Sequence, residues 1–236
     1  MIISLCIPCM NRTYNLKQTL PSIIKSANAS PPVEITILNY SSTDDLESYL
    51  KEINKTEKLV NGNTFNFIKL SGRKYYHSAH ARNLTVLASK GEYIIQLDTE
   101  AIPSKEFIKY IRERLELEKF VWMCEGRIGR YVVIKRQEFI DTGGYDERFN
   151  VYAPEDKDLC LRMHRRGGKF EVFPPNFLSE IPTSNKEKLE NLDQEPHKDK
   201  GIWIKRAMFR AMKPYYEENI ANGVLVVNKK GWGKWT

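Results

Sequence analysis

Two acidic clusters each adjoin a hydrophobic run. Leu97-Asp98-Thr99-Glu100 closes the strand-like run Tyr93-Ile94-Ile95-Gln96-Leu97, and Glu155-Asp156-Lys157-Asp158 opens a helix-like run through Leu159, Cys160, Leu161, Met163 and His164. Carboxylates at the end of a strand suit a divalent cation or a ligand, because they are hard oxygen donors. Carboxylates at the start of a helix suit a proton-transfer role. Together they predict metal-assisted group transfer. Competing readings stand beside this one: a solvated acidic turn at 98–100, and simple capping at Glu155 and Asp156, where a carboxylate accepts free amide hydrogens. Arg82 adds a guanidinium that matches phosphate oxygens, or else a surface salt bridge.

The elements that must position these groups follow an α/β rhythm. Residues 2–7 read as an apolar strand covered on both faces and ended by Pro8. Leu16, Leu20, Ile23, Ile24 and Ala27 recur at helical spacing, with Pro21 either kinking that helix or marking its start. Pro31-Pro32 is a stop. Residues 33–38 are a second strand, and a helix starts near Thr43 with Asp44 and Asp45 at its favourable end. Strands at 65–70 and 93–97 flank a helix at 78–88, and a helix follows Pro103. Such alternation predicts a three-layer domain. Ligands gather beyond the carboxyl ends of its strands, where Asn39, Ser71 and Asp98 fall. The rhythm changes after Glu118. Strands are expected at 121–125 and 130–134, a turn at Gly143-Gly144, and a helix at 155–166. An irregular proline-rich stretch at 173–182, helices at 186–192 and 202–212, and a last strand at 224–227 complete the expectation.

Composition narrows the classes. The chain has 236 residues, 41% of them hydrophobic, enough for a core and too many for wholesale disorder. Lys and Arg outnumber Asp and Glu by 37 to 30, for a net charge of +7 that is only mildly concentrated around Ile202. That charge admits a nucleic acid, a phosphorylated donor or an anionic membrane surface. Cys6 and Cys9 lie in a strand pattern and not at a helix start, and Cys124 and Cys160 lack zinc-site spacing, so free thiols are expected. Free thiols imply a reducing compartment. No basic leader precedes the first strand, and no apolar run nears the roughly 20 residues of a bilayer span. A cytoplasmic location follows, with a peripheral membrane position left open. The Asn-x-Thr triplets at Asn11 and Asn83 are then chance matches, and glycine-rich loops of the dehydrogenase or P-loop type are missing.

Taken in order, several motifs resemble those of GT-A fold glycosyltransferases of the family 2 type. ISLCIPCMNR (3–12) resembles the first strand and nucleotide-binding loop, and ILNYSSTDD (37–45) the second strand and its loop. His80-Ala81-Arg82-Asn83 with Gly91-Glu92-Tyr93 resembles the helix leading into the metal strand, and Asp98-Thr99-Glu100 takes the place of an Asp-x-Asp motif. Gly143-Gly144-Tyr145-Asp146-Glu147-Arg148-Phe149, Glu155-Asp156 and residues 159–166 resemble the acceptor-side loop and catalytic helix. The same stretch is similar to the C-terminal part of β-1,4-galactosyltransferase-like and chondroitin-polymerase-like domains. The resemblance covers roughly three quarters of the chain.

It implies a three-layer α/β/α GT-A fold with a mixed, mostly parallel central sheet. The expected core is 1–185, with a nucleotide-sugar half at 1–100 and an acceptor-binding, catalytic half at 101–185; an extension at 186–236 completes or covers the site. The implied activity is inverting transfer of a hexose or N-acetylhexosamine from a UDP-sugar to a hydroxyl of a glycan or other acceptor, with Mn2+ or Mg2+ on the diphosphate. The implied donor contacts are Pro8, Cys9, Asn11, Arg12, Asn39, Tyr40, Ser41, Arg82, Asp98 and Thr99. Asn39 and Tyr40 stand where the family commonly has acids, so Asn39 would hydrogen-bond the base and Tyr40 stack on it. The implied metal ligands are Glu100, Asp98 and, as a late histidine, His197, with Lys198 and Lys200 closing a loop over the diphosphate. Asp156 is the implied base and Glu155 the acceptor contact, an assignment that can swap. Tyr75, Tyr76, Tyr145 and Tyr152 are sugar platforms or ordinary packing, and Trp232 and Trp235 cap the core or meet a partner. Three other readings remain: a nucleic-acid-binding protein, a glycosyltransferase acting on modified bases in DNA, and an inactive sugar-binding domain. The sequence sets no oligomeric state.

Overall fold

The apolar run at the chain's start forms β1 (Ile3–Cys9), with every residue buried. The computed structural model describes residues 1–60, 62–118, 122–125, 130–167, 170–193, 204–228 and 231–235. β1 runs through Pro8 instead of stopping there. The Cys6 carbonyl accepts from the Leu97 amide, and residues two apart in a strand share an edge. Pro8 therefore turns its missing N–H to the side where β4 (Tyr93–Gln96) has already ended, and no ladder bond is lost.

On the other side β1 pairs in parallel with β2 (Val33–Tyr40), which pairs in parallel with β3 (Thr64–Leu70). Beyond β4 come β7 (Arg130–Lys135), β6 (Trp122–Glu125) and β8 (Phe170–Phe173), giving the order β3-β2-β1-β4-β7-β6-β8. Only β7 runs against the rest. The sheet is mixed and mostly parallel, as expected.

The layers follow from strand alternation. Ile3, Leu5, Ile7 and Cys9 face one cluster with α1 (Thr13–Ala29), α2 (Leu46–Thr56) and α4 (Phe107–Glu118). Cys6 and Ile94 face the other, with α3 (Ser78–Ala88) and α6 (Glu155–Arg165). Pro21 neither starts nor ends α1; it sits exposed inside the helix while the apolar stripe continues on both sides. Cys6, Cys9 and Cys160 are free thiols, the first two buried. Cys124 lies where only the backbone is described.

Three expectations change. The proline-rich stretch is partly regular: β9 (Leu178–Glu180) pairs antiparallel with β5 (Ala101–Pro103), directly after the first acidic cluster. A short α5 (Arg136–Asp141) follows β7. Residues 224–227 form no strand; Val227 donates one amide bond to the Thr142 carbonyl and presses on Gly143. A Cβ at Gly143, whose φ is +75°, would lie 2.0 Å from the Val227 carbonyl oxygen, so only glycine fits. The C-terminal segment adds α7 (Asn185–Leu189), closed by a Ser184/Glu187 capping box, and α8 (Ile204–Ala221). Val151, Leu189, Leu192 and Met208 join them in a small core of their own. His197, Lys198 and Lys200 fall in 194–203, outside the described residues.

A buried ion pair fixes α6. Arg162 Nε meets Asp158 Oδ2 at 2.8 Å, both side chains 1% exposed, and its remaining nitrogens donate to the Thr142 and Gly144 carbonyls at 3.0 and 2.7 Å. Asn219 of α8 donates to the other Asp158 oxygen at 2.7 Å. Removing the guanidinium leaves a buried carboxylate and two carbonyls without their donor. Arg162→Met should lower unfolding free energy by about 3–5 kcal/mol, read from urea unfolding at pH 7. An unchanged midpoint would mean that the pair is not what holds α6.

Candidate active site

The site is built on α3, whose residues from Ala79 to Val86 are all buried. His77 caps the helix, its Nδ1 accepting from the His80 amide at 3.1 Å. His80 is hydrogen-bonded to the Tyr40 hydroxyl at 2.9 Å and to the Lys234 carbonyl at 3.0 Å. Both histidines are structural, and burial lowers both pKa values. Asn83 grips the backbone of Tyr145 from both ends: its amide donates to the Tyr145 carbonyl at 2.9 Å and accepts from the Tyr145 N–H at 2.8 Å. The approach is so close that a Cβ at Gly144, with φ +68°, would meet Asn83 Oδ1 at 2.5 Å. In this way the His-Ala-Arg-Asn and Gly-Gly-Tyr motifs touch.

That docking aims Arg82 at both acidic clusters. Its guanidinium lies 5.3 Å from the centre of the Tyr145 ring. Nη2 donates to Asp98 Oδ1 at 3.0 Å, Nη1 donates to Asp156 Oδ1 at 2.7 Å, and Glu155 Oε1 lies 3.6 Å from Nη1. Burial alone would lower the Arg82 pKa, but the charges of Asp156, Asp98 and Glu155 hold it well above its ordinary value. Arg82 is no surface salt bridge. Capping does not explain the second cluster either: α6 has Pro154 at its cap position and no side-chain cap bond.

The acids differ in surroundings. Burial first, and the Asp156 charge second, push the Glu155 carboxyl up to about 8 against the pull of Arg82. Its Oε2 has no hydrogen-bond partner among the described residues. Burial and then the Asp98 charge also raise Glu100. The corner at 98–100 is pinned from three sides. Thr19 of α1 donates to the Thr99 carbonyl at 2.8 Å, Thr99 donates to Glu100 Oε2 at 3.0 Å, and the Ile181 amide after β9 donates to the Glu100 carbonyl at 3.0 Å.

A cleft of about 480 Å³ opens over these groups. From the donor contacts and metal ligands expected, Pro8, Arg12, Asp98, Thr99 and Glu100 line it; Arg82, Glu155 and Asp156 complete the wall. Tyr76 and Tyr152 also reach it. Other residues stay behind the lining. Cys9 is 1% exposed, and burial drives its thiol pKa far up. Asn39 is buried, its Oδ1 accepting from the Ser42 amide at 2.9 Å. Tyr40 is 0% exposed and meets Tyr76 edge-on, which leaves no free face for a base. Asn11, with φ +52°, accepts from the Thr43 amide at 2.7 Å, and the Ser41 hydroxyl donates to the Leu70 carbonyl at 3.0 Å. Tyr145 is a floor beneath Arg82, not a platform. Tyr75 lies under the Lys74 ammonium at 4.7 Å, and Trp232 packs near Phe139.

Sequence reasoning expected a C-terminal extension over the site but did not name the residues by which that part of the chain reaches the cleft. Thr183, Lys188, Asn191, Leu192 and Phe209 line the cleft. Asn191 is a tie: it donates to the Met10 carbonyl at 3.1 Å, accepts from Asn11 Nδ2 at 3.0 Å, and its carbonyl accepts from the Tyr76 amide at 2.6 Å. Arg12 donates to the Glu187 carbonyl of α7. Asparagine in a polar stretch carries no sequence signal for this role.

Among the described residues no group of three or more His, Cys, Asp or Glu is arranged to hold a metal ion by itself. Asp98 and Glu100 nevertheless present two hard carboxylate donors to one cleft. Two carboxylates with substrate phosphates completing the shell suit Mg2+ or Mn2+, so the donor set fits such an ion. No helix of the described residues is long and apolar enough to cross a membrane.

Sheet order and a cleft at the carboxyl ends of β1 and β4 define a GT-A-like α/β protein. The chain belongs to glycosyl transferase family 2, which matches residues 4–167. That match names no galactosyltransferase-like or chondroitin-polymerase-like portion. Among solved structures, S. aureus TarS 1-349 in complex with UDP is similar with a TM-score of 0.64 and 12% identity, over 94% of this chain and 72% of that one. The mannosyltransferase PcManGT from Pyrobaculum calidifontis, in complex with GDP-Man and Mn2+, has a TM-score of 0.62 and 15% identity, over 95% and 71%. S. aureus TarS 1-349 on its own has a TM-score of 0.63 and 14% identity over 75% of this chain, which spans 59% of its length. These likenesses are of fold. No curated protein sequence matches the chain.

The raised Glu155 carboxyl sets a pH dependence. Its folded pKa of about 8 lies above the ordinary value of 4.5, so its contribution to stability is full below that ordinary value and is lost as pH rises through about 8. Of its charged neighbours, Asp156 adds to this shift and Arg82 opposes it. Thermal unfolding of wild type and Glu155→Gln across pH 5 to about 9 should show a fall with pH in the wild type that the variant lacks. Parallel profiles would remove Glu155 as its source.

Proposed function

We propose that this chain is an inverting, metal-dependent glycosyltransferase that moves a hexose or N-acetylhexosamine from a UDP-sugar to an acceptor hydroxyl. One observation carries the reading: two acidic clusters far apart in sequence meet across Arg82 in a cleft beyond the strand ends. The family membership and the fold shared with nucleotide-bound and nucleotide-sugar-bound relatives support it. In this reading residues 1–185 are the core and 186–236 an extension that covers the site, a division supported by the cleft wall drawn from Lys188, Asn191 and Phe209.

Asp98 and Glu100, with His197 as a further candidate, would hold Mn2+ or Mg2+, which when bound neutralises the leaving diphosphate. Arg12 and Arg82 contact the diphosphate as fixed cations. Asp156 takes the proton from the acceptor hydroxyl, whose oxygen attacks the anomeric carbon on the face opposite UDP. A single displacement of this kind inverts that centre. Before the donor binds, Arg82 holds Asp156 at 2.7 Å, and a paired carboxylate is a weaker base. A phosphate offers Arg82 a second partner, so donor binding strengthens Asp156 as a base. Glu155, carrying its proton below about 8, holds the acceptor by donating a hydrogen bond. The likeness of 143–166 to galactosyltransferase-like and chondroitin-polymerase-like domains is consistent with this acceptor-side role.

Asp156→Asn keeps the shape and removes the base. It should lower kcat by at least roughly 10²-fold while UDP affinity, measured by calorimetry, changes little; wild-type turnover in the variant would take the base role from Asp156. NMR of the product from an α-linked donor should show the β-glycoside, and an α-linked product would overturn inversion.

Glu100→Gln tests the metal separately. Manganese-stimulated turnover should fall sharply in a protein whose unfolding curve matches wild type. Full activity with unchanged metal dependence would sink the assignment.

A further inference from the structure

The C-terminal segment closes a ring around Arg12. The Arg12 guanidinium donates to the Glu187 carbonyl. Glu187 is itself fixed within α7: its amide donates to Ser184 Oγ at 3.2 Å, and its carboxylate accepts from the Ser184 amide at 2.7 Å. Leu189 anchors the same helix in the small core with Val151, Leu192 and Met208. Just past the helix, Asn191 crosses back to the loop after β1. Its Nδ2 donates to the Met10 carbonyl at 3.1 Å, and its Oδ1 accepts from Asn11 Nδ2 at 3.0 Å. Arg12 follows Asn11 directly, so the path from Arg12 through Glu187 and Asn191 returns to Arg12's own neighbour. The polarity of the ring is set throughout. Asn11 Oδ1 accepts from the Thr43 amide at 2.7 Å, which turns Asn11 Nδ2 towards Asn191. A side-chain amide has one accepting and one donating end, so Asn191 accepts from Asn11 and gives its N–H to Met10. The Asn191 carbonyl accepts from the Tyr76 amide at 2.6 Å, which ties another wall of the cleft to the same residue.

A long, flexible cation loses rotamer freedom when it grips a ligand. One that is already held loses less, so a tie on the cation strengthens binding without touching the ligand. A guanidinium carries its N–H donors in a rigid fork. One bond to Glu187 sets the plane of that fork, and Arg12 lines the cleft together with Asp98, Thr99 and Glu100. Asn11 has φ +52°, a left-handed conformation that its bonds to Thr43 and Asn191 hold in place. The direction in which the chain leaves for Arg12 is held with it. We propose that Asn191 is a positioning residue for the donor, holding Asn11 and α7 so that Arg12 is preorganised for the phosphates of a nucleoside diphosphate. It acts through Arg12, because its own side-chain oxygen and nitrogen are engaged by Asn11 and Met10. This rests on the glycosyltransferase reading and adds to it the means by which the C-terminal segment governs donor affinity.

Comparing UDP with uridine separates this role from general support of the fold. UDP is titrated calorimetrically with Mn2+ present, and uridine by NMR, against wild type, Asn191→Ala, Arg12→Ala and the double variant. Asn191→Ala should raise the UDP Kd about tenfold or more while the uridine Kd changes by less than about twofold. The double variant should bind UDP no more weakly than Arg12→Ala alone, because two changes on one path do not add. If Asn191→Ala does not fold, Asn191→Ser, whose hydroxyl still donates and accepts, takes its place in the same comparison. An equal loss for UDP and uridine, or full additivity with Arg12→Ala, overturns the proposal. So does an unchanged UDP Kd in the Asn191 variant of a wild type that binds UDP, and that result leaves the glycosyltransferase reading standing. Failure of the wild type to bind UDP overturns that reading and the positioning role with it.

Discussion

A guanidinium buried at Arg82 is the constraint on which the site depends. A charge taken out of water must be paired, and its partners must be paired in turn. Arg82 has acids from β4's end and from the first turn of α6, so those two elements are held in register with α3. Asn83, the next residue, locks α3 to the Gly143-Gly144-Tyr145 turn, and the Tyr145 ring supports the guanidinium from below. Arg162 then binds the same turn to α6 through the Thr142 and Gly144 carbonyls. One buried charge at the cleft and another behind it thus clamp a single glycine turn. That turn cannot carry a side chain at Gly143 or Gly144 without striking Val227 or Asn83.

Much of this was legible in the sequence, and physics separates what was from what was not. The strands of the parallel half were readable because burial on both faces demands continuous apolar runs. Helix α3 was readable to the residue, and the two acidic clusters stood at element boundaries that periodicity locates well. Pro8 and Pro21 misled because proline is forbidden only where its N–H is needed or its ring clashes. Pro8 faces an edge with no strand left to pair, and Pro21 lies on a solvent face. β9 was missed because a three-residue strand among prolines is defined by its partner β5, not by its own pattern.

Site residues split along the same line. Arg12, Arg82, Asp98, Glu100, Glu155 and Asp156 have side chains whose charge makes burial costly, so a charged residue beside an apolar run is already a statement about a cleft. Asn39, Tyr40 and Ser41 were read through the loop position they occupy. Their side chains turn inward to the Ser42 amide, the His80 ring and the Leu70 carbonyl. A covering extension at 186–236 was an expectation of the sequence, but its individual contacts were not legible because they are long-range: Asn191 meets Asn11 and the Met10 carbonyl only after the whole sheet has formed.

Charge is also partitioned through the cleft. Its lining holds four carboxylates against Arg82 and Arg12, with Lys157 of α6 and Lys188 of α7 as further cations. Under the proposed function, a uniformly acidic cleft would repel a nucleoside diphosphate, and a uniformly basic one would leave no base beside it. Within the acids the same separation recurs at close range. Glu155 is buried and pushed towards its neutral form, whereas Asp156 is paired with the Arg82 guanidinium at 2.7 Å. Adjacent carboxylates on one helical turn thereby have different surroundings, which in the proposed function suit one to donate a hydrogen bond and the other to accept a proton.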